Sequence, residues 1–355
     1  MNWKPIPKWL ICTGTKRGIK MKSLKRSELS RRDVLKQSML LAAAMAAINH
    51  GSAWAATSES PAPPSNPKLA SGFTEKIVLR ENHRIYVRDY PGKEPAYVLL
   101  HGFPDNCRIY EDLAPRLSAA GRRVIAFDFL GFGASDKPTN FRYDFEQQLA
   151  DFNAVVNDLK LNSVIPVGHD AGGPAAVNFA LDNQDRVASL VLLNCYYANA
   201  SVLAFPDFIE LCCNPKTKLL AHAMMTDPKQ AAYLFNFQQG LLLANMTPAM
   251  RTRFETVLQP IIAHNFTQQP SAMPAFLAMT GKAYANLAAN DRRLPELAKF
   301  NKPVKLIWGG LDKYLNTAVA KDIASHCPHA TLTTLDAEHW PQFDLPDEVA
   351  KHMLA

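Results

Sequence analysis

This 355-residue sequence predicts an α/β protein: an eight-stranded, mostly parallel sheet with helices on both faces and a helical segment inserted after the sixth strand. Three observations carry that expectation. Short β-branched or apolar runs alternate with segments of helical periodicity in strand–helix order. The alternation stops at Asn194, and helix-like sequence with no strand pattern follows to about Leu294 before strands return. The composition, 48% apolar, is rich enough to bury a large core.

The elements follow in order. "KIVLR" and "RIYVRDY" read as a hairpin around Glu81-Asn82-His83. Next come "AYVLLHG", "RRVIAFDF", "NSVIPVGHD" and "ASLVLLN", which have the continuous apolar character of parallel strands buried on both sides. Between them "YEDLAPRLSAAG", "DFEQQLADFNAVVNDLKL" and "GGPAAVNFALDNQ" have helical periodicity and end near Gly or Asn. The insert, residues 196–294, is expected to be helical and broken by prolines, among them Pro206, Pro228, Pro248, Pro260 and Pro274. "KPVKLIWGG" and "ATLTTLD", with helix "TAVAKDIASHC" between them, complete the sheet. The core is therefore expected over residues 76–195 and 295–355, behind a Pro/Ser-rich linker over 56–75.

The net charge of +7 does not belong to the core. Residues 1–55 hold eleven Lys and Arg against two Asp and Glu, so they carry +9 and leave the rest at −2. That distribution speaks against a nucleic-acid surface. "SRRDVLK" precedes an Ala/Leu/Met-rich run too short to span a membrane and stay there, and Ala53-Trp54-Ala55 has small residues where a signal peptidase cuts. The segment resembles a twin-arginine export signal, which implies engagement of export machinery, a periplasmic or secreted location and no stable membrane anchor after processing. Met21 is a second candidate start. Five cysteines lie beyond the signal, an odd number without metal-ligand spacing, so at least one thiol is free or pairs with a second copy in a homodimer.

Four motifs fall after strands: "HGFPD" (101–105), "GFGASDKP" (131–138), "GHDAGG" (168–173) and "EHW" (338–340). In order and spacing they resemble the α/β-hydrolase superfamily, in the branch with an aspartate nucleophile that includes epoxide hydrolases and haloalkane dehalogenases. The glycines around Asp170 suit a sharp strand-to-helix turn whose helix N-terminus favours a carboxylate. Such a carboxylate needs no base to attack sp³ carbon and form an ester. The resemblance implies His339 as the base that activates water, backbone N–H groups of Phe103 and Ala171 as the oxyanion hole, and an acid that orients His339. Asn194 and Cys195 end the sixth strand and are not acids, so Asp312 in "WGGLDKYL" takes that role. His169 reads as structural, while His101 and Trp340 are expected to line the substrate pocket.

The leaving group decides between the two activities. Haloalkane dehalogenases place Trp after the nucleophile, where this chain has Ala171, and haloacetate dehalogenases use arginines that "GHDAGGPAAVNFA" lacks. Epoxide hydrolases place one Tyr late in the cap in a Tyr-x-Asn context, which Tyr284 and Asn286 match. Their second tyrosine position holds Asn236, with Tyr233 one helical turn earlier. Tyr110, Tyr196 and Tyr197 are further candidates that the sequence does not rank. Opening of an epoxide without metal or cofactor is the first expectation. Dehalogenation, with Asn236 and Trp340 as halide donors, is the second, and an exported ligand-binding or effector protein is a third of a different class.

Overall fold

The computed structural model describes residues 72–355, apart from Asn245; the expected export signal and most of the expected linker lie outside the described residues. Eight strands form one sheet: β1 (Thr74–Arg80), β2 (His83–Tyr90), β3 (Lys93–Leu100), β4 (Arg122–Phe127), β5 (Val164–Asp170), β6 (Leu190–Cys195), β7 (Val304–Gly309) and β8 (Ala330–Leu335). Their order is β1-β2-β4-β3-β5-β6-β7-β8. β1 and β2 are antiparallel, β2 pairs antiparallel with β4, and β4 through β8 run parallel. β1 starts at Thr74, inside the stretch expected to be linker, because Thr74 and Glu75 extend the ladder opposite Asp89 and Arg88. Glu81, at φ 55, makes the two-residue reversal with Asn82.

The apolar runs work because the sheet is covered twice. In β3, Ala96, Val98 and Leu100 face one core while Tyr97 and Leu99 face the other; β6 divides Leu190 and Leu192 from Val191 and Leu193 in the same way. Helices α1 (Leu113–Ala119), α2 (Phe145–Asp158) and α3 (Gly173–Asp182) fill the crossovers. α2 and α3 pack on each other through Phe152 and Phe179, whose rings stack at 4.0 Å.

Between β6 and β7 come α4 (Asp207–Cys213), α5 (Lys218–Thr226), α6 (Pro228–Leu243), α7 (Pro248–Arg253), α8 (Gln259–Thr267), α9 (Met273–Thr280), α10 (Ala283–Asp291) and α11 (Leu294–Leu297). Three of these prolines start helices rather than break them: Pro228 and Pro248 are first residues and Pro274 a second one, positions where a missing N–H breaks no intrahelical bond, whereas Pro260 lies inside a continuous helical run over residues 248–267. Ahead of Pro260 the chain widens into a π-turn, Phe254–Leu258, before α8 resumes. The fold closes with α12 (Thr317–Ser325), α13 (Pro341–Asp344) and α14 (Pro346–Leu354). No helix among the described residues is long and apolar enough to cross a membrane. All five described cysteines are buried free thiols, which act as small apolar residues.

Phe152→Ala removes a fully buried ring from the α2–α3 contact. The expected cost is about 3–5 kcal/mol, read as a lower denaturant midpoint with an unchanged slope.

Candidate active site

β5 ends on Asp170, whose φ of 46 turns the chain sharply into the Gly172 cap of α3. That conformation lifts the carboxylate off the sheet, and close packing holds it there. A Cβ on Gly102 would lie 2.4 Å from Asp170 Oδ2, and one on Gly172 would lie 2.6 Å from the Leu100 carbonyl, so both neighbours must lack side chains. The Phe103 N–H donates to Asp170 Oδ2 at 3.2 Å, and the Ala171 N–H also supports the carboxylate. Burial raises the Asp170 pKa above 3.8; the His339 charge and these two donors oppose the rise.

His339 follows β8. Its Nδ1 bonds Asp312 Oδ2 at 2.7 Å, which leaves Nε2 as the nitrogen available to the cavity that His339 and Asp170 both line. Burial disfavours the imidazolium, but Asp312, then Asp170 and Asp105, outweigh it and push the His339 pKa up to about 9. Asp312 sits after β7 and is saturated: Oδ1 accepts the Tyr314 and Leu315 N–H groups at 2.9 and 3.0 Å, and Oδ2 accepts Asn194 Nδ2 at 3.0 Å. Burial opposes its ionisation, yet His339, Asn194 and the Tyr314 N–H hold its pKa below the ordinary value. The arrangement can attack carbon with one carboxylate oxygen, hold the other on N–H donors, and activate water with an oriented imidazole.

The cavity above Asp170 encloses about 100 Å³ under the insert helices. Phe103, Phe208, Phe235, Leu242 and Ile262 make it apolar, and Tyr196, Tyr314, Gln238 and Gln239 bring polar groups to it. Among the described residues no group of three or more His, Cys, Asp or Glu side chains could hold a metal.

The sequence expectations divide at this site. Asp170, His339, Asp312, Phe103, Ala171 and Trp340 converge, with Trp340 on the cavity wall and its Nε1 donating to Asp105 Oδ2 at 3.1 Å. His101 does not line the cavity; Nδ1 donates to the Gly102 carbonyl and Nε2 accepts from the Phe129 N–H, so the ring ties two loops together beneath it. His169 donates through Nε2 to the His339 carbonyl at 2.9 Å, a structural bond. The cap donors fall elsewhere. Tyr284 is 41% exposed with its hydroxyl on Glu210, and Tyr233 and Asn236 are exposed on the outer face of α6, while Gln238 and Gln239 of that helix turn inward. Tyr110 bonds the Leu100 carbonyl and Tyr197 bonds Asn178, both away from the cavity.

Three residues on or behind the cavity wall were not singled out by sequence. Asn194 occupies the end of β6 and orients Asp312; an amide at a position open to an acid is the signal that could have found it. Tyr314 and Asp105 stand in motifs already noticed, two residues from Asp312 and four from His101.

A protein family described as the alpha/beta hydrolase fold matches residues 95–346. The chain belongs to the alpha/beta hydrolase fold family. Within that family it is 28% identical over 269 residues to haloalkane dehalogenase 2 of Mycobacterium tuberculosis, covering 73% of this chain and 86% of the relative. It is 27% identical over 292 residues to epoxide hydrolase 3 of Xenopus tropicalis, covering 75% and 72%. A solved bromoperoxidase from Bacillus anthracis superimposes with a TM-score of 0.64 at 22% identity, covering 79% of this hydrolase-fold chain and 98% of the other, a likeness of fold.

Gly102→Ala places a methyl against the Asp170 carboxylate at 2.4 Å. Turnover is expected to fall by about 100-fold or more while circular dichroism and the melting midpoint stay near those of the unaltered protein, since about 1 Å of misplacement costs that much.

Proposed function

We propose that this hydrolase-fold protein opens small apolar epoxides to diols through an ester on Asp170. The observation that carries the proposal is a buried carboxylate at the floor of an apolar cavity, with Oδ2 on the Phe103 N–H and a His339–Asp312 pair beside it. In the ester, Oδ2 becomes the carbonyl oxygen. When water attacks Asp170 Cγ, charge develops on that same oxygen, already held by N–H donors.

Charge state separates the two halves of the cycle. In the resting site Asp170 and the His339 imidazolium stabilise each other. Ester formation removes the Asp170 charge, His339 loses one of the anions that raise its pKa, and a neutral base becomes available for water. Asp312 stays ionised and receives the positive charge when His339 takes the proton.

The leaving atom points toward oxygen. A departing halide needs free N–H donors, but residue 171 is Ala and the Trp340 N–H is already given to Asp105. A departing alkoxide needs a proton, and phenols reach the cavity wall. Dehalogenation is the second reading, favoured by the relative named for that activity. The signal-like residues 1–55 support a further proposal, that the folded chain acts in the periplasm or outside the cell.

Asp170→Asn is expected to abolish turnover, whereas His339→Gln should form the ester and fail to hydrolyse it. Intact mass after exposure to an epoxide panel checks this: the His339→Gln variant gains the mass of one epoxide, and an unmodified mass with every epoxide and haloalkane tried defeats the reading. Halide release with epoxides untouched reverses the order of the two readings.

The pH profile has a defined sign. Attack requires ionised Asp170, whose pKa lies above 3.8, so kcat/KM falls on acidification through a midpoint above that value. Ester hydrolysis requires neutral His339, so its rate rises with pH and levels off below the resting value of about 9. Single-turnover rates across pH 4–10 separate the two limbs.

A further inference from the structure

The reaction proposed above leaves one proton without a source. Ring opening pushes an electron pair onto the epoxide oxygen, and the two cap phenols expected to protonate it, Tyr284 and Tyr233, face solvent, as does Asn236. Two phenols line the cavity, Tyr196 and Tyr314. Tyr314 has already committed its proton: its hydroxyl donates to Asp207 Oδ2 at 2.9 Å and accepts from Gln238 Nε2 at 3.3 Å.

Tyr196 is different. It leaves the end of β6, and its neighbour Cys195 stands opposite Asp170 in the parallel ladder, so nucleophile and phenol rise from adjacent strand ends. Its ring is fixed by aromatic contacts, edge-on to Phe205 at 5.4 Å and tilted against Phe145 at 6.2 Å. It is 4% exposed and lines the cavity, and burial and nearby charges, with no hydrogen bond, set the state of its hydroxyl. A buried phenol normally finds a hydrogen-bond partner, and a free one on a cavity wall beside a reactive carboxylate is a donor awaiting an acceptor.

We propose that Tyr196 is the acid that protonates the opening epoxide oxygen, so that the ring-opening proton comes from the strand end beside Asp170 and not from the insert helices. The assignment rests on the Asp170-ester reading and adds the donor it lacks. The protons balance around the cycle. Asp170 bonds to carbon, the carbon–oxygen bond breaks, and the Tyr196 hydroxyl proton goes to the ring oxygen, leaving a phenolate. The His339 imidazolium returns a proton to that phenolate and becomes the neutral base. His339 then takes a proton from the attacking water and gives it to the departing alcohol oxygen. The regenerated carboxyl of Asp170 ionises by passing its proton to His339, which restores the resting site.

Electrostatics times the transfer. Burial first, then the Asp170 charge, hold the Tyr196 pKa well above 10, so the phenol rests protonated. Attack moves the negative charge from the carboxylate toward the ring oxygen, which removes one obstacle to phenolate formation while creating the stronger base that takes the proton.

Tyr196→Phe keeps the buried ring and removes only the hydroxyl. In a His339→Gln background, the single-turnover mass gain reads ester formation alone. Adding Tyr196→Phe is expected to slow it by about 100-fold or more for an alkyl epoxide, and by clearly less for a trifluoromethyl-substituted one whose alkoxide is less basic. Tyr314→Phe in the same background is expected to slow ester formation less than Tyr196→Phe does, since the Tyr314 proton is held by Asp207. A Tyr196→Phe rate equal to that of His339→Gln alone overturns the assignment, as does an equal loss on both epoxides, which marks a packing role, or a larger loss from Tyr314→Phe. If His339→Gln itself gains no mass from any epoxide, the ester reading fails and takes this assignment with it; an ester that forms independently of Tyr196 leaves that reading intact.

Discussion

The whole site depends on keeping one carboxylate charged where water has been removed. Asp170 sits at the end of a central strand, and burial pushes its carboxyl pKa upward. Two backbone N–H groups, the α3 N-terminus and the imidazolium of His339 supply the compensation. In the proposed reaction each compensating group has a second use: the N–H donors receive the oxyanion, and the imidazolium becomes the base once the carboxylate has been esterified. A group that steadies the ground state thereby prepares the next step, with no charge brought in from outside.

His339 can serve only if its ring is held, and that task falls to the paired ends of β6 and β7. Asp312 accepts from His339, Asn194, Tyr314 and Leu315, and Asn194 also accepts the Gly309 N–H at 2.6 Å. The amide suits that position. A second carboxylate at the 3.0 Å Asn194–Asp312 separation would compete with Asp312 for a proton, whereas an amide offers a donor to Asp312 and an acceptor to the strand beside it.

The sequence made the sheet legible because strands buried on both faces are continuous apolar runs, and because the four loop motifs follow their strands in one order. It also placed Asp170, His339 and Asp312, since turn glycines and strand ends leave those side chains few directions. The insert was less legible for a physical reason. Along α6 the same helical pattern holds Tyr233 and Asn236 outside and Gln238 and Gln239 inside, and only contacts with the core decide which stripe faces the cavity. Tyr284 matched a motif, but an acid on α4, Glu210, captures its hydroxyl. Prolines in the insert predict interruptions, yet a missing N–H costs nothing in a first turn, and Pro228, Pro248 and Pro274 mark where helices begin.

Asp105 shows why the acids around His339 do not all act alike. Burial pushes its carboxyl up to about 7; the Trp340 N–H and His339 pull it down, while Asp170 pushes it further up. Its Oδ1 has no partner among the described residues, and the unpartnered Nδ1 of His169 lies 3.6 Å from its Oδ2. Near neutral pH Asp105 therefore carries a proton part of the time and presents a weaker negative charge to His339 than Asp312 does. Asp312, with four donors and a pKa below the ordinary value, remains the anion that sets the orientation of the ring. Two buried acids beside one imidazole are kept in different charge states by the number of donors each receives, so His339 has one strong partner and a direction fixed by it.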